Sequence, residues 1–228
     1  MKKIICYSEI AFILGLLLLA LGTALMAYGD FGISMIATPG YLIHLKLSPY
    51  SPFFSFGTIG YLVEALLLLA MMLIIRKGKL IYLLSFLTAV LYGCLLDVFS
   101  LLTALLPQDS IPLRIPIYIS GMTLCSAAIS LMLFSYFPPA AHEMFVKEVS
   151  AHKHIPFANL KTIYDCTALL LSLILSILFF NSLQGIGIGT IICAFINGFM
   201  IRSFTKLWER LLIFRDAFPL RSYFEESE

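Results

Sequence analysis

The chain has 228 residues, 61% of them hydrophobic and 12% charged, with a formal net charge of +2 and a mean hydropathy of +0.98. Soluble domains carry about 25% charged residues, so this chain lacks the polar surface to cover its apolar side chains in water. A water-soluble domain is excluded, nothing points to a nucleic-acid partner, and the solvent for most of the chain is a lipid bilayer.

Apolar runs fall at about 4–29, 54–75, 79–106, 115–137, 162–180 and 186–204. A spanning helix needs roughly 20 apolar residues, and open strands would leave backbone groups unpaired in hydrocarbon. The expected fold class is therefore all-α integral membrane with six transmembrane helices, in a single membrane domain over 1–228. Met1-Lys2-Lys3 ahead of the first run resembles a secretory signal, with Thr23 to Ala27 imitating a cleavage site. The run exceeds a usual signal core, however, and Leu25 stands where a small residue is needed, so it is expected to remain as the first helix.

The stretch 30–53 is too apolar for a free loop and reads as a short interfacial or re-entrant helix broken by Pro39, Pro49 and Pro52. The second run opens at Ser55, a plausible helix cap, and carries Glu64 roughly 15 Å from either end at the helical rise. Gly57, Tyr61, Glu64 and Leu68 share one face by helical spacing. The third run carries small residues at every fourth position, Ser85, Ala89 and Gly93, and continues to Asp97. Between the fourth and fifth runs, Glu143 to Val149 forms an amphipathic turn or two expected to lie on the membrane surface. Asn159 reads as the cap of the fifth run. The tail 206–228 mixes aromatic and basic residues, begins as an interfacial helix and ends acidic.

Charge sets the orientation. Lys2, Lys3, Arg76, Lys77, Lys79, Lys147, Lys153, Lys161, Arg202, Lys206, Arg210, Arg215 and Arg221 fall on one side, and only Lys46 and Arg114 on the other. The richer side is cytoplasmic, which places both termini in the cytoplasm of a bacterial inner membrane protein. Cys6, Cys94, Cys125, Cys166 and Cys193 have no paired spacing and read as small buried side chains.

An internal repeat organises the chain. Pro52 to Ile59 aligns with Pro156 to Ile163, and the same register places Ser85, Ala89 and Gly93 over Gly189, Cys193 and Asn197. Such stripes let helices approach closely in a membrane. With three helices per half, about 4–106 and 112–205, the halves run oppositely through the bilayer. This is a 3+3 inverted-topology repeat, a plan common among secondary transporters.

Leu21-Gly22-Thr23-Ala24-Leu25-Met26-Ala27-Tyr28-Gly29-Asp30-Phe31-Gly32-Ile33-Ser34, Gly93-Cys94-Leu95-Leu96-Asp97, and Gly185-Ile186-Gly187-Ile188-Gly189-Thr190 with Asn197-Gly198 resemble the bacterial YczE/YitT-type membrane proteins. The resemblance implies a multi-pass membrane fold and a transport role, and it supplies no catalytic residues.

Ionisable groups at bilayer depth cost about 2.5–3.5 kcal/mol on insertion scales, so they mark candidate sites. Glu64 leads, either as a substrate or proton site, with Tyr61 as its hydrogen-bond partner, or as a structural hydrogen-bonding residue. Asp97 either faces Glu64 or pairs with Arg114. Asp165 is explained by a local pair with Lys161, and Asn197 by hydrogen bonding between helices; both remain candidate substrate or ion ligands. His142, His152 and His154 share the inner loop with Glu143 and Glu148 and read as solvated surface rather than a metal site. Gly185-x-Gly187-x-Gly189 is no nucleotide loop, since no strand precedes it. No cofactor, metal or enzymatic motif is expected. The leading function is a small secondary transporter of a small molecule or ion, coupled to a proton or cation, with homo-oligomerisation open. One alternative is a substrate-binding subunit of an energy-coupling-factor vitamin transporter, for which Ala20-x-x-x-Ala24 matches a docking motif. Another is a non-transporting scaffold or regulator.

Overall fold

The computed structural model describes residues 4–76, 80–106, 111–138, 141–155 and 157–218. Its helices are α1 (Ser8–Gly29), α2 (Thr38–Leu47), α3 (Phe56–Ile75), α4 (Leu80–Thr103), α5 (Ile111–Met132), α6 (Ala141–Lys153), α7 (Phe157–Phe180) and α8 (Ile188–Leu211). Five of them, α1, α3, α4, α5 and α7, contain segments long and apolar enough to cross a membrane. Their outward faces carry bare apolar side chains, with Leu73 78% and Leu178 70% exposed. In water that surface would collapse or aggregate; against lipid tails it costs nothing. The protein is a multi-pass helical membrane protein.

The chain is not purely helical. Ile4–Tyr7 (β1) pairs in parallel with Leu212–Arg215 (β2), Ile4 opposite Leu212 and Tyr7 opposite Arg215. The first apolar run thus starts as a strand and becomes helix at Ser8. The expected interfacial helix after residue 206 is instead the last turn of α8, followed by β2.

The glycines of α1 recur every seventh residue and set its closest packing. A Cβ on Gly22 would lie 2.7 Å from the Gly121 carbonyl oxygen, and one on Gly29 2.9 Å from Tyr118 Cβ. A Cβ on Gly15 would meet Met132 of α5, so α1 and α5 run antiparallel along their whole length. Around this central pair, α4 packs on α1 and α8 packs on α5.

The two short helices bridge α3 and α7 at opposite ends. The α2 residue Tyr41 meets Phe56 at the start of α3, and Lys46 lies over Phe179 at the end of α7. Pro39 sits in the first turn of α2, where its missing N–H would be unpaired anyway, so it starts that helix rather than breaking it. Pro49 and Pro52 follow its end. At the other end, α6 packs Ala141, Met144 and Val149 against Leu68, Met71 and Ile75 of α3 and Tyr82 of α4, with Leu160 of α7 beside them. The surface position expected for Glu143 to Val149 is therefore corrected. This is a 13-residue helix with Val146 fully buried, a wedge driven between α3 and α7.

Two glycine-containing loops meet beyond α1. Ile33 N donates to Gly185 O at 3.1 Å and Gly189 N to Phe31 O at 2.8 Å. Gly32 and Gly185 both have positive φ, +104° and +69°, which L side chains adopt only with strain. The Gly185-x-Gly187-x-Gly189 run is thus a backbone-to-backbone seam.

Candidate functional site: a cavity within the helix bundle

A cavity of about 330 Å³ lies at the centre of the bundle. Its described walls come from α1, α3, α4 and α5, with contributions from α2, α6, α8 and the loops after α1 and α5. The extensive α1–α5 packing brings both of these helices to the wall.

Glu64 lines the cavity and is 6% exposed. It lies within electrostatic range of the phenols of Tyr92 on α4 and Tyr164 on α7. Tyr92 Oη donates to Thr23 Oγ1 at 3.0 Å, and Thr23 in turn contacts Cys125 Sγ at 3.8 Å. A polar string thus crosses α4, α1 and α5 along one cavity wall. Tyr164 hydrogen-bonds His142 Nδ1 of α6, and His142 also lines the cavity. The sequence reading placed His142 on a solvated surface. Its real position follows from the wedge, because α6 turns its first turn inward toward α7. His152 and His154, further along, are exposed. Among the described residues, no group of three His, Cys, Asp or Glu side chains is arranged to hold a metal ion.

Tyr61 is not among the described lining residues. Its ring lies against Gly93 of α4, where a Cβ would come within 2.9 Å. The face shared by Gly57, Tyr61, Glu64 and Leu68 is divided among three neighbours: α4 takes the first two, the cavity takes Glu64, and α6 takes Leu68.

Asp97 has neither of its two expected partners. Its carboxylate accepts hydrogen bonds from Ser55 Oγ and from Gly57 N at 2.6 Å, closing the N-terminus of α3. There a negative charge is favoured by the helix dipole and orphan N–H groups need acceptors. Ser55 itself caps α3 through Thr58 N at 3.0 Å. Arg114 instead faces Asp30, at 3.9 Å, at the C-terminal end of α1. There, burial and the charge of Asp30 push the Tyr41 phenol up, so it stays a neutral donor.

Asn197 lines the cavity from α8 and accepts a 2.8 Å hydrogen bond from Ser126 Oγ of α5. Both small-residue stripes face inward. Ser85 and Ala89 are 0% and 1% exposed, Gly93 is buried, and Gly189 and Cys193 are buried on α8. Ala89 and Cys193 reach the cavity wall. A Cβ on Gly57 would overlap the Gly93 carbonyl, so α3 and α4 touch backbone to backbone there. Asp165 on α7 is half-buried beside Tyr164; the side chain of Lys161, its expected partner, lies outside the described residues. Asn159 falls inside α7, which begins at Phe157, so it does not cap that helix. All five cysteines are free thiols. Ala20 and Ala24, the docking motif of the vitamin-transporter alternative, are 0% and 1% exposed and packed near Ile33, Phe56 and Leu96. They offer no surface to a partner.

Sequence reasoning missed Glu9. Its carboxylate accepts from Tyr136 Oη at 2.7 Å and from the backbone N–H groups of Ala217 and Phe218 at 3.0 and 3.1 Å. Ser8 Oγ adds a 2.6 Å bond to Asp216. A carboxylate in the first turn of a helix was the available signal.

A family model described as a family of unknown function, DUF6198, matches residues 6–206. No curated protein and no solved structure matches the chain.

Proposed function

The chain belongs to the DUF6198 family, and from the geometry of its cavity we propose that it is a small secondary transporter in which Glu64 is the ionisable group of the substrate or coupling-ion site. The observation that carries this reading is the carboxyl of Glu64, buried at the middle of a spanning helix and lining the cavity. A carboxylate at that depth is costly. A carboxyl there can take up a proton or a cation, and exchanging one for the other across the membrane is coupled transport.

The architecture supports six crossings and an inverted repeat. β1 and β2 are hydrogen-bonded neighbours, so the chain leaves α8 on the side where it entered α1. In this reading α8, with 24 residues, is the sixth crossing, since five would leave the two strands on opposite sides and α2 and α6 are too short to span. In the proposed repeat α1 is the counterpart of α5, α2 of α6, α3 of α7 and α4 of α8. The contacts of α1 with α4 recur between α5 and α8, and the bridge α2 makes across α3 and α7 recurs at their other ends in α6. These two recurrences favour two halves related by an axis in the membrane plane, with the binding site at their interface, although the α3–α4 packing has no matching α7–α8 packing among the described residues.

The test is solute-driven proton or cation movement in proteoliposomes, comparing wild type with Glu64→Gln, which keeps shape and removes charge. Coupled flux should fall at least tenfold in a variant that still purifies as a helical, monodisperse protein. Unchanged flux and unchanged pH dependence would remove Glu64 from the mechanism.

A further inference from the structure

The cavity is long rather than round. Its α1 wall is Phe12, Leu16, Leu19, Thr23 and Met26, one face of the helix at steps of three and four residues. From Phe12 to Met26 that face runs about 21 Å at the helical rise. Phe137, whose ring centroid lies 4.8 Å from that of Phe12, lines one end, and Ile33 and Ala37 line the other. A volume of about 330 Å³ over that length leaves a mean cross-section on the order of 16 Å², comparable with one extended hydrocarbon chain. Polar side chains along the wall are engaged within the protein. Tyr92 donates to Thr23, Thr88 Oγ1 to Leu84 O, and Ser126 to Asn197, while His142 pairs with Tyr164. Glu64 also interacts within the protein, so neither it nor His142 needs a ligand to satisfy it.

We propose that this cavity is a slot for the hydrocarbon chain of a single-chain amphiphile, such as a long-chain alcohol. A compact polar solute would give up its water for groups that already have partners, which is costly, and would leave most of the length empty. A two-chain lipid finds room for only one of its chains. An extended chain fills the length. Its gain is packing rather than escape from water, because lipid is as apolar as the wall, and a wall facing a void forfeits its dispersion contacts. Gly60 marks the path of the chain: it lines the cavity, and a Cβ there would meet nothing within 4 Å. This inference deepens the transporter reading by naming a substrate class, and it rests on the cavity as the ligand site.

Photolabelling of the full chain in lipid nanodiscs is the test, with hexadecanol carrying a mid-chain diazirine and the labelled residues mapped by mass spectrometry. Leu16, Leu19 and Ile129, which line the cavity, should be labelled saturably, and excess plain hexadecanol should cut that labelling at least tenfold. Adamantanol, apolar but wider than one chain, should not compete. A phospholipid with the same diazirine in one chain should leave the three residues unlabelled. Outward-facing Leu73 and Leu178 should label without saturation. Gly60→Leu fills the slot and should lower the cavity labelling at least tenfold. Gly198→Leu, at an equally open glycine that is not among the described lining residues, should leave it unchanged. Labelling confined to the outward faces, displacement by adamantanol, cavity labelling by the phospholipid, or full labelling of Gly60→Leu overturns the proposal. Should Gly60→Leu not be recovered folded, the wild-type labelling pattern and its competition decide alone. Saturable cavity labelling without any flux would sink the transporter reading and leave this inference standing. Coupled flux of a compact solute without cavity labelling would sink this inference alone.

Discussion

At the residue scale, glycine divides into positions that hold helices together and positions that do not. Gly22 faces the Gly121 carbonyl at a distance no Cβ can share, whereas a Cβ on Gly198 of α8 would meet nothing within 4 Å. Gly22→Leu should therefore destabilise the α1–α5 pair, by about 1–3 kcal/mol or more for overpacking. Gly198→Ala should be neutral or stabilising, by roughly 0.5–1 kcal/mol, because Ala loses less backbone entropy in a helix. Thermal unfolding in detergent, monitored by circular dichroism, reads both. Equal midpoints for the two variants would show that α1 and α5 are not in backbone contact. The heptad of glycines in α1 was visible in the sequence, but a glycine repeat does not say which helix lies against it. The carboxylates were legible in the same partial way. Depth along an apolar run marked Glu64, yet the same rule marked Asp97, which serves as a helix cap.

At the element scale, α6 decides whether the inner connection is a surface or a wedge. Met144 and Val146 are 2% and 0% exposed, while Lys153 is exposed. Val146→Asp would bury an unpaired charge and should cost about 3 kcal/mol or more. Lys153→Asp should stay within about 0.5 kcal/mol, as exposed substitutions do. Comparable melting of the two variants would return α6 to the membrane surface. The amphipathic pattern of residues 143–149 was readable, but it does not distinguish a helix whose apolar face meets lipid from one whose apolar face meets α3. That choice depends on Leu68, Met71 and Ile75, far away in sequence, leaving a matching apolar patch uncovered.

At the scale of the whole molecule, the proposed even number of crossings draws its support from the distribution of Lys and Arg and from the pairing of β1 with β2. In a variant with the native cysteines replaced, Ser182→Cys in the α7–α8 loop should react with an impermeant thiol reagent in intact cells. His152→Cys, at the end of α6, should react only after permeabilisation. Both positions are exposed; the matching outer position near Asp109 lies outside the described residues. Labelling of His152→Cys in sealed cells would invert the proposed orientation.

That the chain enters lipid repeatedly, where its apolar runs fall, and which ionisable groups lie at depth are properties of the sequence by itself. Hydrophobicity and charge are sums over neighbouring residues, and the bilayer responds to those sums. The cavity and its chemistry were decided only by tertiary structure. Asp97 meets Ser55 across 42 residues, His142 meets Tyr164 across 22, and Glu9 meets Ala217 across 208. No local sum reports such a meeting. Which face of a helix turns inward is set by the shape of what it packs against, and inside a bilayer an outward face is nearly as apolar as an inward one. The alternation that betrays the core of a soluble protein is therefore missing, and only packing separates Glu64, which opens on a cavity, from Asp97, which closes a helix.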